Sequence, residues 1–242
     1  MRQHSVSAFA AALLFGTSPI HAAALQVSPV NIQVNTPMAA STITVSNPGD
    51  TPLTSQFRIL KWTHQNGKDE LIATRDVVVS PPLTQLLPGQ PYIVRIVRVS
   101  KLPVNGEEAY RLLVDEIPSA SDLSPTYGAR FAIRQSIPIF FTVPAAAPKL
   151  TWGATLKNGK ILLQARNEGS KRMRIFALKV TNSTGDVISI GKGFAGYVFG
   201  HSSEQWTFTA GDKGFVSGAT VTIIAQGENG PIRTNARISA SN

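Results

Sequence analysis

Few side chains of this 242-residue chain are spaced for chemistry. Cysteine is absent, which removes thiol redox catalysis, thiolate nucleophiles and Cys-ligated metals together. Of the four histidines, His4 and His21 belong to an N-terminal leader. His64 precedes an Asn66-Gly67 turn signal, and His201 stands among Gly and Ser, so both are expected as exposed loop residues. Neither has a second histidine at ligand spacing, and no metal is expected. Ser202 and Ser203 follow His201, but adjacency in sequence does not make a triad, and no Gly-x-Ser-x-Gly elbow occurs. Gly191-Lys192-Gly193-Phe194-Ala195-Gly196 spells a dinucleotide fingerprint without the helix that would bring phosphate to a helix N-terminus, so a turn or bulge is predicted there. Asp115-Glu116 is an acidic pair, but neighbours on a strand point to opposite faces, so a structural ion pair is the expected role. Asn182-Ser183-Thr184 is a chance-level glycosylation sequon and is given no role. The chain is therefore read as a non-enzyme without a cofactor.

Composition narrows the remaining classes. Apolar residues make up 43% and charged residues 15%, enough apolar material for packed cores. The formal charge is +9, but Lys and Arg are scattered and no basic tract is interleaved with aromatics. No nucleic-acid partner is expected; a basic surface equally suits carboxylates or acidic partners. Met1-Arg2-Gln3-His4, an apolar stretch from about Val6 to Phe15, and small residues through Ala22-Ala23-Ala24 read as a secretory signal, residues 1–22. No later segment is long and apolar enough to insert in a membrane. An exported chain without cysteine depends on its cores alone.

The elements that would position any site read as short strands. Polar and apolar residues alternate in Ser41–Ser46 and Gln56–Trp62, Tyr92–Val99 is a β-branched run, and Ala109–Asp115 and Arg130–Val143 read as two more strands, with turns at Asn47-Pro48-Gly49-Asp50, Asn66-Gly67 and Leu87-Pro88-Gly89-Gln90. Pro144-Ala145-Ala146-Ala147-Pro148 is the linker candidate. Beyond it Lys160–Ala165, Arg174–Val180, Asp186–Ile190, Gln205–Phe208 and Thr220–Ala225 continue the pattern. The prediction is an all-β chain of two immunoglobulin-like sandwiches, 23–143 and 150–242, joined by 144–149.

Several of these segments together resemble one family. Thr44-Val45-Ser46-Asn47-Pro48, Val79-Ser80-Pro81-Pro82-Leu83, Leu87-Pro88-Gly89-Gln90, Val94-Arg95-Ile96, Tyr110 through Pro118, and Ser136-Ile137-Pro138-Ile139-Phe140-Phe141 are similar to the periplasmic pilus-assembly chaperones of the chaperone–usher pathway, with details nearest its archaic branch. The resemblance implies a boomerang of two domains with a cleft between them. It implies periplasmic residence, with pilus or fimbrial subunits and an outer-membrane usher as partners, and leaves open whether the free chain self-associates through its edge strand. It also implies donor-strand complementation, in which a chaperone strand fills the groove of an incomplete subunit. Tyr127, Ala129, Phe131 and Ile133 would be the donated face, preceded by a mobile loop over Ser119–Pro125; the same face could instead serve the chaperone's own core.

The family anchors the subunit's C-terminal carboxylate with basic residues, and here the sequence departs from it. Asn31 and Pro138 stand where the better-known branch has Arg and Lys, so Arg111 and Arg134, helped by Asn31, are the anchoring candidates. Glu116 matches the acidic member of the family's interdomain ion pair, but Thr142 stands at the basic position, so another contact must fix the domain angle. Pro81 and Pro82 fall where the family holds a structural turn with a cis proline. A two-domain adhesin or carbohydrate-binding protein is the competing reading; it would call for exposed aromatics or a metal cluster at loop tips.

Overall fold

The computed structural model describes residues 25–65, 68–118, 132–211 and 213–240, and every regular element among them is a β-strand. The first sandwich faces two sheets. One runs β1 (Gln26–Ser28), β3 (Ala40–Ser46), β8 (Pro91–Arg98), β6 (Val77–Ser80). The other runs β2 (Ile32–Asn35), β10 (Arg134–Thr142), β9 (Glu107–Ile117), β4 (Leu53–Gln65), β5 (Lys68–Ala73), with β7 (Leu83–Leu86) also on β4. Period-two alternation decides what fills the space between them. Ile43 and Val45, Val94 and Ile96, Phe57 and Ile59, Tyr110, Leu112 and Val114, and Ile137, Ile139 and Phe141 all turn inward and form one core.

Polar side chains fix the corners of this sandwich. Asn47 is buried at the end of β3, donating to the carbonyls of Thr51 (2.7 Å) and Leu86 (3.1 Å) and accepting from Gly49 N–H. That is why the chain turns at Asn47-Pro48-Gly49. Between β6 and β7 the chain changes sheet over Pro81 and Pro82; the Ser80–Pro81 peptide is cis, and Phe57 N–H bonds the Pro82 carbonyl at 2.8 Å. Arg98 grips Glu108 with two hydrogen bonds of 2.8 Å, and the Tyr110 hydroxyl donates to the same carboxylate, tying one sheet to the other. Burial and the Glu108 charge push the Tyr110 hydroxyl far above the usual tyrosine range.

The second sandwich sets β11 (Leu150–Lys157), β12 (Lys160–Asn167) and β16 (Ser203–Thr209) against β13 (Met173–Thr181), β14 (Val187–Ser189), β15 (Phe194–Val198), β17 (Thr220–Gly227) and β18 (Gly230–Ala240). β18 joins the two layers: Gly230–Arg237 pairs antiparallel with β17, and Ile238–Ala240 runs parallel to β11. The glycine fingerprint leads into β15 and not into a helix; Gly191 and Gly196 hold φ of 112° and 143°, which other residues avoid. The Asn182 amide is spent on Asp186, Lys213 and Thr184 in a local turn.

Candidate functional site

The residues of β4, β9 and β10 that alternate away from the core make a second face. Strand register arranges it in rows. Leu60, Arg111 and Pro138 are directly opposite one another, Arg58, Leu113 and Ser136 form the next row, and Gln56, Asp115 and Arg134 the third. Asn31 immediately precedes β2, whose Ile32 pairs in parallel with Ile139, so Asn31 continues the Arg111–Pro138 row. Two of the predicted anchors thus meet around the proline. The Asn31 side-chain oxygen is buried without a hydrogen-bond partner among the described residues. The Arg111 guanidinium lies 3.6 Å from the centre of the Trp62 ring, and burial holds its pKa below the ordinary arginine value.

Arg134 is not brought to this row. It stands four residues from Pro138, on the order of 13 Å along the strand. Its guanidinium hydrogen-bonds Asp115, directly across from it, and its side chain is 61% exposed. Arg58 binds the other Asp115 oxygen at 2.7 Å. Burial alone would raise the Asp115 pKa, but the hydrogen bonds from Arg134 and Arg58 outweigh it and hold the carboxyl below the usual aspartate range. Arg134 therefore stands apart from the Arg111–Asn31 row and forms an ion pair with Asp115, the structural role expected of that carboxylate.

Tyr127, Ala129 and Phe131 lie outside the described residues, as does the Ser119–Pro125 loop. Ile133 is described. It directly precedes β10, is partly buried, and its carbonyl accepts Glu116 N–H at 3.0 Å. Counting by two from Ile133 leads through Gln135 to Ile137, Ile139 and Phe141, all in the core. Beyond β9, β10 pairs only with β2, and only from Ile139 to Thr142. Among the described residues, the outer edge from Arg134 to Pro138 has no strand beside it.

The contacts joining the sandwiches were not foreseen. Arg172, in the loop before β13, is fully buried and forms an ion pair with Glu107. Its backbone N–H bonds the same carboxylate at 3.1 Å, its side chain also reaches Gln33 (3.3 Å) and Glu228 (3.5 Å), and its guanidinium sits 3.3 Å from the Phe140 ring centre. Thr142, directly across from Glu107, donates its hydroxyl to that carboxylate at 2.8 Å. The acidic member of the interdomain pair is thus Glu107 and not Glu116, which lies nine positions along the same strand, and the basic member comes from the second sandwich. His64 is likewise not an exposed loop residue. Its side chain is 5% exposed, close to Asp69 (2.7 Å) and Glu204 (3.4 Å) and stacked on Phe199. A hairpin histidine would be open to solvent, but the second sandwich covers this one. Trp62, Ala109 and Phe140 pack against Tyr197 and Phe199 in a small core of their own between the sandwiches.

This two-sandwich plan can be set beside known proteins. The family described as pili and flagellar-assembly chaperone, PapD N-terminal domain, matches residues 24–147, more than half of the chain. The chain belongs to that family. No curated protein matches the sequence. The fold of this chaperone is shared with solved structures. One is the CsuC–CsuE chaperone–tip adhesion subunit pre-assembly complex from the archaic Csu pili of Acinetobacter baumannii, at 22% identity and TM-score 0.65 over 91% of this chain and 100% of that one. Another is the Salmonella enterica SafA pilin–SafB chaperone complex, at 19% identity and 0.60 over 87% and 95%. A third is the Pseudomonas aeruginosa CupB2 chaperone, at 20% and 0.58 over 88% and 100%.

Proposed function

We propose that this chaperone works in the periplasm, where it binds pilus or fimbrial subunits by strand donation, anchors their C-terminal carboxylate at Arg111 and Asn31, and delivers them to an outer-membrane usher. The carrying observation is the division of labour along β10. Its odd-numbered face enters the first core at Ile137, Ile139 and Phe141, while its outer edge from Arg134 to Pro138 is open among the described residues. A strand with a free edge and an apolar face leading up to it is suited to pairing with a foreign sheet. The even-numbered face carries Pro138 beside Arg111, whose planar fork matches a carboxylate. Asn31 adds an amide in the same row, a group able to donate an N–H to an anion. The relatives' names point the same way, since two of the solved structures are chaperones described in complex with a tip subunit or a pilin. The role is one of holding, with no bond made or broken.

The test is co-expression with a pilus subunit from the same bacterium and recovery of soluble complex from the periplasm. Wild type is expected to yield a one-to-one complex. Ile133→Asp places a charge on the donated face, and Arg111→Ala removes the anchor; both are expected to lose soluble subunit. Full recovery with both variants refutes the reading.

A further inference from the structure

Arg111 lies on the middle strand of its sheet between Leu60 and Pro138, neither of which offers a side-chain acceptor. Among the described residues no ion pair involves it, so the surface it rests on sets where its N–H groups point. That surface is Trp62, which is 4% exposed and 3.6 Å from the guanidinium carbon. The indole is itself gripped edge-on by two rings of the second sandwich, Phe199 at 4.7 Å and 84° and Tyr197 at 5.3 Å and 87°, and tilted against Phe140 at 6.0 Å. Edge-to-face packing of this kind fixes a ring's plane. An arginine lying on an aromatic face keeps the edge of its fork available for a carboxylate, whereas a guanidinium free in solvent must be ordered at the moment of binding.

We propose that Trp62 is the positioning residue of the carboxylate anchor: its ring face orients Arg111, and Tyr197 and Phe199 of the second sandwich hold the ring. The inference rests on Arg111 being the anchor, as read above, and adds that the second sandwich helps build the carboxylate site without touching the ligand. It accounts for how one arginine serves where a lysine is replaced by Pro138.

The test uses the full chain and one labelled synthetic peptide of alternating Val and Thr ending in Phe, prepared as the free acid and as the carboxamide, with binding followed by fluorescence anisotropy. The readout is the ratio of acid to amide affinity, which general damage to strand pairing does not move. Wild type is expected to favour the acid, and Arg111→Ala to abolish that preference. Trp62→Leu is expected to reduce the preference about tenfold, intermediate between an exposed and a desolvated cation–π contact, with amide binding unchanged. Trp62→Phe, which keeps a ring, is expected to retain most of it, and Tyr197→Ala/Phe199→Ala to lose it in part. If Arg111→Ala erases the preference and Trp62→Leu leaves it intact, the positioning role is overturned and the anchor stands. If the double variant retains the full preference, the part assigned to the second sandwich is overturned. If wild type shows no preference, or Arg111→Ala keeps it, the anchor itself falls and the positioning role with it. Should Trp62→Leu fail to fold, the Arg111 Nε proton in wild type decides: an upfield ring-current shift supports the stack, and an unshifted resonance overturns it.

Discussion

Arg172 is the residue whose loss should be felt most. It is fully buried, and its main partner, Glu107, has a side chain only 4% exposed. In Arg172→Ala, Glu107 keeps two hydrogen bonds, from the Thr142 hydroxyl and the residue 172 backbone N–H, but loses its counter-charge. A buried carboxylate deprived of its partner costs about 3–5 kcal/mol, and the two remaining donors argue for the lower end. Against a typical domain stability of roughly 5–15 kcal/mol, about 3 kcal/mol is a large share. In urea, with an m-value of about 2 kcal/mol/M, the midpoint should fall by about 1.5 M. Arg58→Ala is the control: its partner Asp115 keeps Arg134, its own side chain is 43% exposed, and the expected cost is at most about 1 kcal/mol. Arg172→Met combined with Glu107→Gln removes both charges and should recover most of the loss. The pair also joins the two sandwiches, so the fall should appear in the transition followed by far-ultraviolet circular dichroism and by tryptophan fluorescence alike. A loss below about 1 kcal/mol for Arg172→Ala, or a double variant no better than the single, refutes the buried-pair argument.

Three further outcomes follow from particular contacts. The Asp115 pKa is depressed in the folded chain, so its contribution is complete above the ordinary value of 3.8 and disappears as the pH falls through the folded value. Unfolding free energies of wild type and Asp115→Asn, measured in urea, should therefore differ at neutral pH by about 1 kcal/mol given its solvent-exposed arginine partners, and converge in acid well below pH 3.8. Asn167 is fully buried, donating to the carbonyls of Lys171 and Val198 and accepting from the N–H groups of Lys149 and Gly169; Asn167→Ala should lower stability by about 3 kcal/mol, measured by thermal unfolding. A Cβ on Gly169 would stand closer than 3.0 Å to the Ala147 carbonyl, Pro148 and Lys149, so Gly169→Ala should cost about 1–3 kcal/mol, whereas Gly153→Ala, with open space around it, should change the melting temperature little.

Most strands were legible either because one face is buried and the residues alternate, as in β3, or because burial on both faces leaves a continuous apolar run between turns, as in β9. Ser41–Ser46 and Tyr92–Val99 correspond to β3 and β8, and Ala109–Asp115 to the middle of β9. β18 escaped because Arg233, Thr234 and Asn235 interrupt the apolar rhythm where only one side of the strand is covered. β1 and β2 were too short to show a period, and β15 was hidden by its glycines. Within the proposed site, Arg111 and Asn31 were singled out because they stand at positions the family uses, and strand register places them in one row. For Arg134, alternation gives the face but not the neighbour, and its neighbour proved to be Asp115. Arg172 carried no local signal at all: it lies in a loop, 65 residues from Glu107, and only the docking of the two sandwiches makes it an interior residue.

If the proposed anchoring and strand donation hold, the spacing along β10 and the residue before it carries a consequence for what can be bound. Ile133 and Pro138 are five residues apart on one extended segment, about 17 Å at the usual strand rise. On the proposed reading, a carboxylate held beside Pro138 and an apolar cavity filled by Ile133 would be separated by that same length in the client. The segment acts as a gauge: it measures how far a client's vacant groove lies from its chain end. Deleting one residue between the two would turn Ile133 to the opposite side and shorten the gauge at once, so recognition by length and recognition by side are a single property of this strand.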